Sequence, residues 1–159
     1  MTEQELKKAL DVAEKEPQKI AAAVSGLPDK VLNFKPTPEK WSIREILAHL
    51  ADVELVYGFR MRQMLSENSS TITPMNQDAW AQKMGYNETS APESIAQFGL
   101  LRRSNLRLLR RIKHTDLKRG AFHPEIQREL TLEDLLGRLA RHGTSHLEQV
   151  EKLKKQATK

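Results

Sequence analysis

The sequence predicts an all-α protein, a four-helix bundle with long crossover connections, and three observations lead there. Four stretches repeat their apolar residues at the three- and four-residue spacing of one helix face. Aromatic residues supply only 5% of the chain and Gly and Pro are few, a balance that suits packed aliphatic helices better than a sandwich or barrel. No stretch makes a convincing strand. At 159 residues the chain suits one domain, residues 1–159, with a single core.

The first helix runs from Thr2 to Ser25, with Leu6, Leu10, Ala13, Pro17, Ile20 and Val24 on one stripe. Pro17 lies inside it, so the helix either kinks there or divides in two, because proline removes a backbone donor and crowds the preceding turn. Residues 26–41 hold Pro28, Pro36 and Pro38 and form a loop with one helical turn around Asp29 to Leu32. The second helix opens on a capping box, Ser42 with Glu45, and carries Ile43, Ile46, Leu47, Leu50, Val53, Tyr57, Met61, Met64 and Leu65 to about Ser66. Glu54 falls within that apolar face, where a carboxylate is costly unless it is paired. A polar connection, Glu67 to Asn76, leads to a short helix at Asp78–Lys83 with Trp80. The third long helix starts at Ser90. Its inner face, Phe98, Leu101, Leu108, Leu109 and Ile112, is interrupted by Arg102 and Asn105, and Arg103, Arg107, Arg110 and Arg111 lie opposite. After a second long connection, His114 to Leu130, Thr131 caps the fourth helix. Its stripe is Leu132, Leu135, Leu136, Leu139, Gly143, Leu147, Val150 and Leu153.

Absence of cysteine removes disulfides, thiolate nucleophiles and Cys-based metal sites, leaving His and carboxylates as ligands, and fits a reducing compartment. The N-terminus lacks an apolar signal region, and no apolar run approaches the roughly twenty residues of a membrane span. A soluble, cytoplasmic protein without membrane association is expected. The net charge of +5 allows an anionic partner, but an arginine face without interleaved aromatics is a weak nucleic-acid signal.

Within the fourth helix, His142 and His146 stand four residues apart, so both imidazoles project from one side and can reach one divalent ion. Gly143 replaces the glutamate that follows the first histidine of a zinc-protease helix and lets another helix approach. His49 sits on the inner flank of the second helix. Three imidazoles from two helices would leave coordination positions open, the layout of a catalytic site. Taken alone, each histidine on an apolar face is most often a core residue with one hydrogen bond satisfied, so the case rests on their coincidence; His114 and His123 fall in connections and are set aside as surface or loop residues.

The run Trp41-Ser-Ile-Arg-Glu-Ile-Leu-Ala-His49-Leu-Ala-Asp52, then Glu54 and Arg60, Pro74-Met-Asn-Gln-Asp-Ala-Trp80-Ala, Phe98 and Arg102, and His142 and His146 followed by Gln149, resembles the DinB/YfiT-like superfamily from about residue 18 to 155. The resemblance implies a bundle with a long crossover between its second and third helices. It implies a nickel- or zinc-like divalent ion held by three histidines, which here are His49, His142 and His146. Ser145 and Asn76 depart from common versions of the pattern, which puts acid–base roles at those positions in doubt. Activities in that family include transfer of a low-molecular-weight thiol to an electrophile, a thiol-using maleylpyruvate isomerase, and hydrolysis.

The favoured function is therefore a metal-dependent enzyme on a small-molecule substrate, thiol S-transferase-like or hydrolase-like. The alternative is a non-catalytic metal-binding or partner-binding homodimer, the family's prior for homodimers applying to both. Glu45 and Asp52, one turn from His49, and Gln149, three residues past His146, could orient ligand imidazoles. Each has a plainer role available: a cap for Glu45, solvated face for Asp52 and surface amide for Gln149. Arg102 could hold an anionic substrate or pair with buried Glu54.

Overall fold

The computed structural model describes residues 1–68 and 70–158. Four long helices carry the fold: α1 (Glu3–Val24), α3 (Ile43–Ser66), α5 (Ala91–Leu109) and α6 (Leu132–Ala157). Short α2 (Asp29–Leu32) and α4 (Gln77–Lys83) lie in the connections, with tight helical turns at Tyr86–Glu88 and His114–Lys118. Capping boxes open α1 at Thr2, α3 at Ser42 and α6 at Thr131, and the Ser90 side chain caps α5. Around the bundle, α3 packs on α5 and α6, and α1 packs on the same two. Two apolar clusters fill the centre. One is built around Met61, Leu106 and Leu136, the other around Ile20, Leu47, Phe98 and Val150.

Pro17 neither divides α1, which continues through it as one helix, nor leaves a backbone group orphaned. The ring removes the amide that would have bonded Ala13, and the Ala13 carbonyl instead accepts from Arg102 Nη1 at 2.7 Å. Proline thus opens a place on α1 for a side chain from α5.

The expectation of no strand is corrected. Residues Gly120–His123 (β1) and Arg128–Thr131 (β2) pair antiparallel, with Ala121 opposite Leu130, both buried. Segment 70–72 adds alongside β1, the Ile72 amide donating to the Phe122 carbonyl at 2.8 Å. Four-residue strands are too short for alternation to show in sequence. His123 is corrected with them: it is buried in β1, whereas His114 is exposed as expected.

Candidate metal centre

His49 comes from α3, and His142 and His146 from successive turns of α6. Their side chains meet where those helices cross. His142 Nε2 lies 3.1 Å from His49 Nε2 and 3.1 Å from His146 Nε2. Trp41 packs against His49 with ring centroids 4.6 Å apart, and His49 is only 1% exposed. Thus the capping box at Ser42, by starting α3 where it does, places both Trp41 and His49 at this crossing.

The donor set suits a divalent cation. Two nitrogens each about 2.0–2.1 Å from one ion lie roughly 3 Å apart, the separation found here. Protons cannot satisfy the same geometry. His146 Nδ1 is paired with Gln149 Oε1 at 2.8 Å, so Nδ1 carries the hydrogen and Nε2 presents its lone pair inward. One proton on His142 Nε2 could then serve only one of its two neighbours. His49 Nδ1 is buried without a partner, so no hydrogen bond fixes that ring by itself.

The imidazoles are held neutral, the state a metal requires. Burial, followed by the charges of His142 and His146, pushes His49 down to about 2. Burial, His146 and Arg102 push His142 down to about 3, and burial lowers His146 against the opposing Gln149 contact. Folded-state values below the ordinary 6.5 mean that the unfolded chain binds more protons as pH falls through that window. The metal-free protein is therefore expected to lose stability steadily below about pH 6.5, by up to about 1.4 kcal/mol per pH unit per imidazole. Urea midpoints measured from pH 7 downward check this, and a flat profile would refute it.

A cavity of about 680 Å³ opens over His142 and His146. Trp41, Pro36 and Leu153 give it apolar wall, and Lys40, Lys152, Glu39, Asp78 and Gln149 supply polar groups. The residues singled out from sequence divide around it. Gln149 stands against a histidine as expected. Asp52 does not: it accepts from the Tyr86 hydroxyl at 2.5 Å and ties α3 to the Tyr86–Glu88 turn. Glu45 takes its plainer role, bonding the Ser42 amide and Lys35.

Arg102 is corrected as a substrate anchor. It is 1% exposed, absent from the cavity wall, and bound to Glu54 Oε1 through Nε at 2.9 Å and to Glu16 Oε2 through Nη1 at 2.7 Å. Asn105 donates to Glu54 Oε2 at 2.9 Å, completing the pairing that Glu54 required. Glu16 escaped notice in the sequence. It also accepts from Thr144 Oγ1 at 2.9 Å, between the two α6 histidines, and a Cβ on Gly143 would collide with its carboxylate. Gly143 thus admits α1, as its position suggested. An acid directly before a mid-helix proline, beside an apolar stripe, was the available signal for Glu16.

A bundle of four helices with a three-histidine cluster at one crossing, His49 and His146 buried and His142 half-buried, defines the class of protein. The comparisons give its family. A model of the DinB superfamily matches residues 13–150, and the chain belongs to that superfamily. It is similar to the curated "Putative metal-dependent hydrolase YfiT" of Bacillus subtilis, 28% identical over 92% of this chain and 82% of the relative. It is also similar to a protein of Bacillus pumilus named "Putative metal-dependent hydrolase", 27% identical over 96% of this chain and 86% of that one. The solved structure of YfiT from Bacillus subtilis, described as a probable metal-dependent hydrolase with an unusual four-helix bundle topology, superposes with a TM-score of 0.92. It covers 98% of this chain and 89% of its own, at 26% identity.

Proposed function

We propose that the protein is a divalent-metal-dependent enzyme acting on a small molecule, with His49, His142 and His146 as the metal ligands. The observation that carries this reading is the convergence of three imidazoles, with His142 Nε2 3.1 Å from the Nε2 of each of the other two, beside an open cavity that His142 and His146 border. Names of relatives as metal-dependent hydrolases support it. Nickel or zinc fits an all-imidazole set better than magnesium or calcium, which favour oxygen ligands. A metal there would supply an activated water or thiolate near neutral pH. Hydrolysis and transfer of a low-molecular-weight thiol both follow from that chemistry.

The chain's own residues prepare the site. Gln149 fixes the His146 tautomer, Trp41 packs the His49 ring, and Glu16 holds α1 against the turn between His142 and His146. We place the protein in the cytoplasm and as a homodimer under the same proposal. Among the described residues no helix is long and apolar enough to cross a membrane.

The test is turnover on a panel of esters, amides and phosphate esters, and of electrophiles offered with a small thiol, before chelation, after it, and after nickel or zinc is restored. Turnover lost and regained with metal is expected. Metal-independent behaviour across the panel, with chelation lowering only stability, would favour the non-catalytic bundle.

A further inference from the structure

The cavity over the histidines runs along α6. His142, His146, Gln149, Lys152, Leu153 and Gln156 all border it, and their spacing sets them along one side of that helix. At about 1.5 Å of rise per residue, the row from His142 to Gln156 is roughly 21 Å long, and Lys152 stands roughly 9 Å beyond His146. Buried Ile46 and Leu153 and half-buried Trp41 give the same cavity apolar contact surface. One end of the cavity therefore carries the imidazoles, and an ammonium stands further along it.

Four charged side chains border the cavity: Glu39, Lys40, Asp78 and Lys152. Three of them have compensation close by in sequence. Hydrogen bonds from its own backbone and from Thr37, with the charges of Lys35 and Lys40, hold the Glu39 carboxyl below its ordinary range, and Lys40 is matched in part by that carboxylate. Asp78 occupies the first turn of α4, where free backbone amides favour an acid. Lys152 has no such counterpart. Lys35, Lys118 and Lys154 each pair with a glutamate, but among the described residues no carboxylate lies within ion-pair distance of Lys152, including Glu148 one turn earlier. It also stands before the last turn of α6, where Lys154 and Lys155 are placed to favour the terminal carbonyls. One free ammonium suits one anionic group. No arginine borders the cavity and two acids do, so a carboxylate fits there better than a phosphate dianion.

We propose that Lys152 is a specificity residue of the cavity, taking the carboxylate of a substrate whose reacting group lies roughly 9 Å away at the histidines, with an apolar segment between them against Leu153, Ile46 and Trp41. Arg102, buried on its own carboxylates, leaves this role open. The place of the reacting group rests on the metal-dependent reading above; the carboxylate subsite rests on the cavity wall alone.

The probes are linear hydroxamates, whose head group chelates a divalent ion, ending in either a carboxylate or a primary amide and carrying tethers of increasing length. Their affinities for the full chain loaded with nickel are measured by calorimetry at low ionic strength. The carboxylate end is expected to bind roughly three- to fivefold tighter than the amide, with the largest difference at the tether that spans about 9 Å. Lys152→Gln should abolish the difference, and Lys155→Gln, which changes the net charge equally but lies off the cavity wall, should keep it. Both lysines are exposed, so both variants are expected to fold. No carboxylate preference at any tether, or a preference unchanged by Lys152→Gln, would overturn the subsite. If the chain retains no metal and the hydroxamates fail to bind for that reason, the function proposed above fails and a metal-free arm decides the subsite. In that arm medium-chain carboxylates and their primary amides are titrated against the NMR signal of the Trp41 indole N–H. Preference for the acid that Lys152→Gln removes supports the subsite, and equal affinities or no saturable binding overturn it.

Discussion

His146→Ala and His142→Ala are each expected to take bound metal from near-stoichiometric to background, measured by elemental analysis of protein purified without a metal-affinity tag. Each substitution leaves only two imidazoles, and no carboxylate among the described residues joins the cluster to replace the third. His49→Ala should have the same effect on metal content and an added cost in stability, because His49 is 1% exposed and packed against Trp41. His142 borders the cavity, where truncation leaves space that water can enter. Gln149→Ala should cost only about 10–100-fold in metal affinity, since it removes the acceptor that fixes His146 but no ligand. His114→Ala and His123→Ala serve as controls and should leave metal content unchanged. Full metal retention by both α6 variants would refute the three-histidine centre.

Helix architecture was legible because amphipathic spacing and capping residues are local signals. Ser42 with Glu45 and Thr131 with Asp134 mark starts that the structure reproduces. The spacing of His142 and His146 likewise gave their common side directly; His49, 93 residues from His142, was a candidate companion from its place on the inner flank of the second helix, and the family resemblance strengthened that assignment. Arg102 shows where one-dimensional reasoning stops. An arginine interrupting an inner face points to a buried anion, but the sequence cannot say whether that anion is a substrate or a carboxylate of the same chain. The answer depended on Glu16, brought over by the packing of α1 and visible in sequence only as an acid beside Pro17. The hairpin was missed for a different reason: its strands are held by cross-strand hydrogen bonds and segment 70–72, not by an alternating apolar pattern.

Arg102→Ala is expected to be among the most destabilising single substitutions, by about 3–5 kcal/mol in urea denaturation. Removing the guanidinium strips partners from Glu16 and Glu54, which are 3% and 2% exposed, and leaves the Ala13 carbonyl opened by Pro17 without its donor. The loss measures uncompensated burial, not the net worth of the ion pairs. Replacing the network together, as Arg102→Met with Glu16→Gln and Glu54→Gln, should therefore recover a large part of it. If Arg102→Ala unfolds within about 1 kcal/mol of the parent, the carboxylates are not desolvated in solution and the network does not act as described. The same variant separates support of the metal from ligation of it. Glu16 links Arg102 to Thr144 on the turn between His142 and His146, so loosening it should weaken metal binding although every ligand remains. The triple variant restores much of the packing but replaces the Glu16 carboxylate that accepts from Thr144 with a neutral amide, so it should regain stability more fully than metal affinity, an outcome that a purely structural network would not produce.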